Sequence, residues 1–234
     1  MSTRSLFKDK KASCVIVAAG SGRRMKHKTP KLLIRISGIP IIIRSIKAFN
    51  IHPLIGEIIL VVPSYEFDKF NRLIKRYKLS KVKRVVAGGR TRKDSVLRGL
   101  SGVSKDFKYV VIHDGARPFV DKDMISRLLR KVSVNQAAVL GVPVSDTIKR
   151  VDKDSYIKET ISRDDLYRIQ TPQVFFVSSL RDAYKKHPKF KATDSAALIE
   201  KSGKRVSVID GSVRNIKITT PEDLVLAKRL AGRR

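Results

Sequence analysis

The sequence predicts an α/β protein, a three-layer sandwich with helices on both faces of a mostly parallel β-sheet. Three observations carry this. Short runs such as Ile58-Ile59-Leu60-Val61-Val62 and Tyr109-Val110-Val111-Ile112 are apolar at every position, as strands buried on both faces must be. Between them lie segments with apolar residues at helical spacing. Glycine loops and chemically distinctive residues fall at the carboxyl ends of the runs, where open α/β sheets hold ligands.

The first eleven residues, MSTRSLFKDKK, are polar and basic and lead into Ser13-Cys14-Val15-Ile16-Val17-Ala18-Ala19. That is the outline of a secretory signal. The apolar stretch is short, however, and enters Gly20-Ser21-Gly22-Arg23-Arg24 directly, so it reads as a buried strand ending in a loop. Glu57 to Val62 is the next strand, closed by Pro63. Phe67, Phe70, Ile74 and Tyr77 then mark an amphipathic helix over Tyr65 to Lys78. Val82 to Ala87 reads as a strand, Asp94 to Leu100 as a helix and Tyr109 to His113 as a strand. Asp121 caps a helix whose apolar face is Ile125, Leu128, Leu129 and Val132.

Gln136 to Val144 is the next strand. Thr147 to Val151 and Tyr156 to Thr160 flank the polar turn Asp152-Lys153-Asp154-Ser155, an inserted hairpin with too little apolar content for a core of its own. Helices near Ser178–His187 and Asp194–Lys201 and a strand over Val206–Ile209 follow. Thr220-Pro221-Glu222-Asp223 opens the last helix, with Thr as N-cap, Pro at the first helical position and acids in the first turn. No repeat or low-complexity linker interrupts the series, so residues 1–234 are read as one domain.

Composition narrows the function. With 42% hydrophobic residues the chain can build a core, which excludes wholesale disorder, and no run approaches a membrane span. A single cysteine, Cys14, excludes an intramolecular disulfide or a Cys-rich zinc site and suits a reducing, cytoplasmic setting. The 51 Lys and Arg against 21 acids give +30, a field that draws in anions of every kind.

The loop from Gly20 to Lys31 concentrates that charge. Its first two glycines let backbone N–H groups approach an anion, and Arg23, Arg24, Lys26, Lys28 and Lys31 follow. A dinucleotide fingerprint needs a glycine where Met25 stands, and a Walker A loop needs Gly-Lys-Ser/Thr, so neither applies. A triphosphate cradle and a solvated basic turn both remain open. His113-Asp114-Gly115-Ala116-Arg117-Pro118 places an acid where a Mg²⁺–phosphate complex is commonly met, or a helix-type cap; Arg117 suits a phosphate contact or a loop lock. His113 by itself reads as a core histidine. Gly88-Gly89 with Ser95 is a third glycine loop, equally compatible with reading a base or sugar and with a plain βα turn. Gln170-Thr171-Pro172-Gln173, Thr193-Asp194-Ser195 and Asn215 to Asp223 are over-specified for surface loops, although Thr193 also suits a helix cap and Lys217 a strand edge.

Together these segments resemble the 2-C-methyl-D-erythritol 4-phosphate cytidylyltransferase family over nearly the whole chain. The likeness runs in the family's order: Ala18 to Met25 with Pro30-Lys31, Gly88-Gly89 with Asp94-Ser95-Val96, His113 to Pro118, Asp146-Thr147, Thr171-Pro172-Gln173, and Asn215-Ile216-Lys217 with Pro221 to Leu224. The resemblance implies a Rossmann-like sheet of nucleotidyltransferase type. It also implies transfer of CMP from CTP to methylerythritol phosphate with Mg²⁺, in isoprenoid precursor synthesis. Arg24 and Lys31 match the residues that stabilise the transition state. Ala18, Ala19, Gly20, Gly89 and Ser95 match the nucleotide pocket, with Ser21 and Gly22 on the same loop. Asp114, with Gly115 beside it, and Arg117 match the metal-triphosphate and sugar-phosphate end. Thr147, Arg163, Thr171, Thr193 and Lys217 match the acceptor side, where Arg163 and Lys217 position the nucleophile. In the family the hairpin, 147–161 here, is a dimerisation arm, which implies a homodimer and places Thr147 and Arg163 in the partner's site.

Three positions depart from the pattern. Gly115 replaces an alanine, Arg90 an acid, and Leu32 the common Gln after the lysine. Ribitol-5-phosphate cytidylyltransferases are the near rival, but Ala18-Ala19-Gly20 and Gly115-Ala116-Arg117-Pro118 favour methylerythritol phosphate. A nucleic-acid-binding protein is the rival from another class. With only 9 Phe, 6 Tyr and no Trp, and with cations spread through every helix, the chain lacks stacking platforms and a basic face, so no specific nucleic-acid or membrane partner is expected.

Overall fold

The structure, a computed structural model, describes residues 11–25, 27 and 29–232; residues 1–10, and Lys26 and Lys28 of the cationic loop, lie outside the described residues. The described chain opens with β1 (Ala12–Val17). Two 3₁₀ turns, Arg23–Met25 and Lys31–Leu33, and a small hairpin, β2 (Arg35–Ile36) and β3 (Ile39–Pro40), lead into α1 (Ile41–Asn50). There follow β4 (Ile55–Val62), α2 (Phe67–Arg76), β5 (Val82–Ala87), α3 (Arg92–Ser101), β6 (Tyr109–Asp114), α4 (Lys122–Asn135) and β7 (Ala137–Pro143). The inserted hairpin is β8 (Ile148–Val151) and β9 (Ile157–Ile161). The chain continues with β10 (Tyr167–Phe176), α5 (Val177–Lys186), α6 (Ala196–Lys201), β11 (Ser207–Asp210) and α7 (Pro221–Gly232).

Seven strands form one sheet in the order β11-β7-β10-β6-β1-β4-β5. All adjacent pairs are parallel except those of β10, which runs antiparallel between β6 and β7. Strand alternation divides the core between two faces. Cys14, Ile16, Ile58, Leu60 and Val111 pack with α1, α2, α4 and α7, while Val15, Ile59, Val61, Val110 and Ile112 pack with α3, α5 and α6. Each such side chain, fully buried, contributes about 1.5–3 kcal/mol. This is the expected three-layer arrangement.

Helix starts follow the expected chemistry. Asp121 Oδ1 accepts the Met124 N–H at 2.8 Å, and Thr220 and Asp223 exchange side chain-to-backbone hydrogen bonds at 3.4 and 2.9 Å. The reading differs from the structure in several places. Gln170-Thr171-Pro172-Gln173 is not a surface segment but the middle of β10; Pro172 is tolerated because the ladder slips between Gln170 and Gln173, where its missing N–H costs no bond. Ile41–Asn50, unassigned from the sequence, is a helix whose opening Ile41-Ile42-Ile43 mimics a strand. The helix expected over Tyr65 to Lys78 covers only Phe67–Arg76. Gln136, expected in a strand, ends α4 in the left-handed conformation at φ 64°.

The hairpin forms its own two-stranded sheet, with the Arg150–Glu159 ion pair at 2.9 Å across it. Val151, Tyr156 and Ile157 on it are 54%, 73% and 64% exposed.

Candidate active site

At the carboxyl ends of β1, β5 and β6 lies a cleft of about 710 Å³. Its floor is anchored on the sheet, since the Ala18 N–H donates to Val61 O at 2.7 Å and the Gly115 N–H to Val17 O at 2.9 Å. The cationic loop then turns back through Gly22, whose φ of +66° is in the region that only glycine adopts freely. Ala18, Ala19, Gly20, Ser21 and Gly22 line one side of the cleft, and Gly89 and Ser95 line another. The two loops touch at Gly88, where a Cβ would fall 2.1 Å from that of Ala19. The second loop is held by α3, whose N-cap Thr91 forms a capping box with Asp94. Ser95 is buried, and its hydroxyl accepts from the Gly89 N–H at 3.1 Å and donates to Thr91 O at 3.0 Å. It therefore shapes the glycine loop.

Charge gathers at the centre of the cleft. Asp114, 7% exposed at the end of β6, accepts a hydrogen bond from Arg92 Nε on Oδ1 at 3.0 Å, with Arg92 Nη2 in ion-pair contact at 2.9 Å, and faces Lys217 Nζ across Oδ2 at 2.7 Å. Burial by itself would raise its pKa, but Arg92 and Lys217, helped by Arg117, hold the carboxyl well below the usual carboxylate range. Lys31, at the start of the second 3₁₀ turn, and Arg24, on the first, line the same cleft. The Lys31 pKa lies below the ordinary lysine value because of burial first, then the neighbouring charges of Lys217 and Arg24. Cations crowded against one another with little acid between them are arranged for a polyanion.

The other expected residues take different places. Thr171, 4% exposed in β10, accepts the Asp114 N–H at 3.0 Å, and so stands behind that carboxylate. Arg117 donates to Asn215 O at 2.7 Å, the loop-locking alternative of its two sequence readings. His113 is fully buried with a pKa lowered to about 3 by burial; Arg117 O lies 3.1 Å from Nε2 and Thr171 Oγ1 3.3 Å from Nδ1, so it is a neutral core histidine. Gly115 packs beneath the cleft against Ile42. Thr193 is exposed, and the α6 cap expected from it is made by Asp194, whose Oδ1 accepts the Ala197 N–H at 3.0 Å. Thr147 and Arg163 lie at the exposed base of the hairpin, where Arg163 donates to Ser145 O. Lys217 is not a strand-edge lysine, since Asn215 to Lys217 belong to no strand.

Sequence reading missed Arg92 as a functional residue. A signal was available, because two cations open α3, where the helix macrodipole disfavours them. It singled out the Asn215 motif without a role for Asn215 itself, which is fully buried, with Nδ2 donating to Thr171 O at 3.0 Å and Gln170 Oε1 at 3.1 Å. A second hollow of about 630 Å³, lined by Lys131, Gln136, Lys204 and Arg205, lies at the amino ends of β7 and β11, away from the glycine loops.

Among the described residues no group of three or more His, Cys, Asp or Glu could cage a metal ion. Asp114 is the carboxylate lining the cleft. One carboxylate facing a cationic glycine loop fits Mg²⁺, which takes one or two carboxylates and completes its shell with water and substrate phosphates.

No histidine or cysteine lines the cleft among the described residues, so its chemistry is carried by cations and backbone amides. On a Rossmann-like sheet that balance defines a nucleotidyltransferase, an enzyme that positions two anions and stabilises the charge between them. The chain belongs to the 2-C-methyl-D-erythritol 4-phosphate cytidylyltransferase family, whose model matches residues 12–233. It is 42% identical over 222 residues to the enzyme of that name from Syntrophus aciditrophicus, covering 93% of this chain and 94% of the relative. It is 43% identical over 218 residues to that from Bacillus licheniformis, covering 92% and 94%. Among solved structures it is similar to a 4-diphosphocytidyl-2C-methyl-D-erythritol synthase from Anaerococcus prevotii, with TM-score 0.85, 31% identity and 98% and 99% of the two chains covered.

Proposed function

We infer that this chain transfers the cytidylyl group of CTP to 2-C-methyl-D-erythritol 4-phosphate, giving CDP-methylerythritol and pyrophosphate. The observation that carries this is the cationic cluster of Arg24, Lys31 and Lys217 at the glycine loops, where burial and then the charges of Lys217 and Arg24 depress the Lys31 pKa. A phosphate oxygen of the acceptor attacks the α-phosphorus of CTP, and the bond to the bridging oxygen of the β-phosphate breaks. Pyrophosphate leaves with the electron pair. The nucleophile is already an anion, so no base is needed.

Lys31 and Arg24 stabilise the charge that grows on the α-phosphoryl oxygens. Ala18 to Gly22, with Gly89, hold the nucleotide through backbone groups, and Ser95 keeps that wall in shape. Asp114 would hold Mg²⁺, which when bound neutralises part of the triphosphate charge. Lys217 and Arg163 position the acceptor phosphate, with Thr147 and Thr193 around it, Thr171 supporting Asp114 from behind and Arg117 fixing the segment that carries Lys217.

Thr147 and Arg163 complete the site from a second subunit. Supporting this are their place outside the cleft of their own chain and the exposed Val151, Tyr156 and Ile157 on the hairpin between them. The chain acts as one domain in a homodimer. No helix among the described residues is long and apolar enough to cross a membrane, and Cys14 is a buried free thiol. We place the reaction in the cytoplasm, and read the +30 charge as aiding capture of two anionic substrates rather than specific nucleic-acid binding. Pyrophosphate release with CTP and Mg²⁺ tests the reading. Release with methylerythritol 4-phosphate and not with ribitol 5-phosphate is expected; release with ribitol 5-phosphate alone overturns the acceptor.

A further inference from the structure

Arg92 and Lys93 begin α3 with two positive charges, at the helix end where partial positive charge already accumulates. Helix stability does not account for them, but their contacts do. Lys93 Nζ donates to the carbonyls of His187, Pro188 and Phe190 at 2.9, 2.6 and 3.1 Å, which fastens α3 to the segment leading to Thr193. Arg92 reaches Asp114, donating from Nε to one oxygen, Oδ1, at 3.0 Å and holding Nη2 in ion-pair contact with the same oxygen at 2.9 Å. The other oxygen, Oδ2, is held by Lys217 at 2.7 Å.

The two cations are unequal partners. Arg92 is a planar fork, 25% exposed, and its backbone is fixed by the Thr91–Asp94 capping box and by Lys93 next to it. Lys217 is a single ammonium, 38% exposed, carried on a segment outside any helix or strand. We propose that Arg92 is a positioning residue that pins Oδ1 of Asp114, leaving Oδ2 as the atom at which Lys217 exchanges for the divalent cation of an incoming nucleotide. Arg92 thereby sets the affinity for the metal–nucleotide pair without touching the reacting phosphorus. This rests on the reading that Asp114 meets Mg²⁺ and CTP.

The test compares the full chain with its Arg92→Gln and Arg92→Lys variants. CTP binding is measured by calorimetry across a Mg²⁺ titration, alongside kcat, KM and the thermal midpoint. Arg92→Gln is expected to raise the Mg²⁺ concentration for half-maximal CTP binding about tenfold or more, as loss of a partner that orients a metal ligand does. Arg92→Lys keeps the charge but not the fork, and should fall between; it carries the test alone if Arg92→Gln does not fold. A Mg²⁺ dependence like that of the unaltered chain, with loss seen only in kcat or thermal midpoint, overturns the proposal. Binding of CTP that ignores Mg²⁺ in the unaltered chain overturns it as well. Turnover of methylerythritol phosphate by the unaltered chain tests the underlying reaction separately, because the Arg92 proposal is decided by the Mg²⁺ dependence of CTP binding.

Discussion

The backbone N–H of Asp114 donates to the hydroxyl of Thr171 at 3.0 Å, across 57 residues of sequence. The same hydroxyl lies 3.3 Å from His113 Nδ1, and the Thr171 carbonyl accepts from Asn215 Nδ2 at 3.0 Å. One threonine in β10 thus joins the end of β6 to the segment that carries Lys217. Asp114 and Lys217, which face each other in the cleft, are set in place from behind by a shared neighbour.

Thr171→Val removes the acceptor and leaves the Asp114 N–H unsatisfied in a buried place. The expected loss of stability is about 1–3 kcal/mol, read by denaturant unfolding, with Thr171→Ser close to the unaltered chain. A Val variant as stable as the Ser variant would mean that the hydrogen bond carries nothing.

Arg24→Ala and Lys31→Ala each remove a cation from the cleft without opening the core, because Arg24 is exposed and Lys31 only half-buried. Each should lower kcat by about 100-fold or more, the usual cost of a transition-state charge stabiliser, with little change in circular dichroism or thermal midpoint. Near-normal turnover in either variant would remove that residue from the mechanism.

The lowered pKa of Lys31 has a direction that kinetics can read. A lysine must be protonated to stabilise phosphoryl charge, and a depressed pKa means that this proton is lost at a pH below its ordinary 10.5. The alkaline limb of kcat/KM, which reports the free enzyme, should fall before 10.5 is reached. Lys31→Arg keeps its charge across that range and should flatten the limb. An unchanged limb in the Arg variant would assign it to another group.

Gly115, read from the sequence as a departure from the family pattern, sits where the structure leaves no room for a side chain. A Cβ there would fall 2.7 Å from Ile42 Cδ1 and 3.2 Å from Val17 O, and Ile42 is fully buried. Gly115→Ala alone should destabilise the chain by about 1–3 kcal/mol through overpacking. Added Ile42→Val, which removes the clashing methyl, should recover part of that loss. Equal thermal midpoints for the single and double variants would show that the two positions do not interact.

Much of the fold was legible because its signals are local. The apolar runs at β4 and β6, the caps at Asp121 and Thr220, and the polar turn between β8 and β9 depend on residues a few positions apart. So did the cationic loop and Asp114, since glycines and charges at strand ends mark a site in any α/β sheet. The reading broke where two local patterns coincide. Ile41-Ile42-Ile43 looks like a strand and is the start of α1, and Pro172 argues against a strand yet sits at a slip in the β10 ladder.

By itself the sequence determined the layers, the position of the glycine loops and the excess of cations near them. Only the tertiary structure decided that β10 enters antiparallel between β6 and β7, and that Arg92, Asp114, Thr171 and Lys217 meet. Periodicity and capping are set by neighbours within a turn or two. The choice of strand partner, and the meeting of side chains from four separate segments, are set by which faces must be buried together, a property of the whole chain that no short window contains.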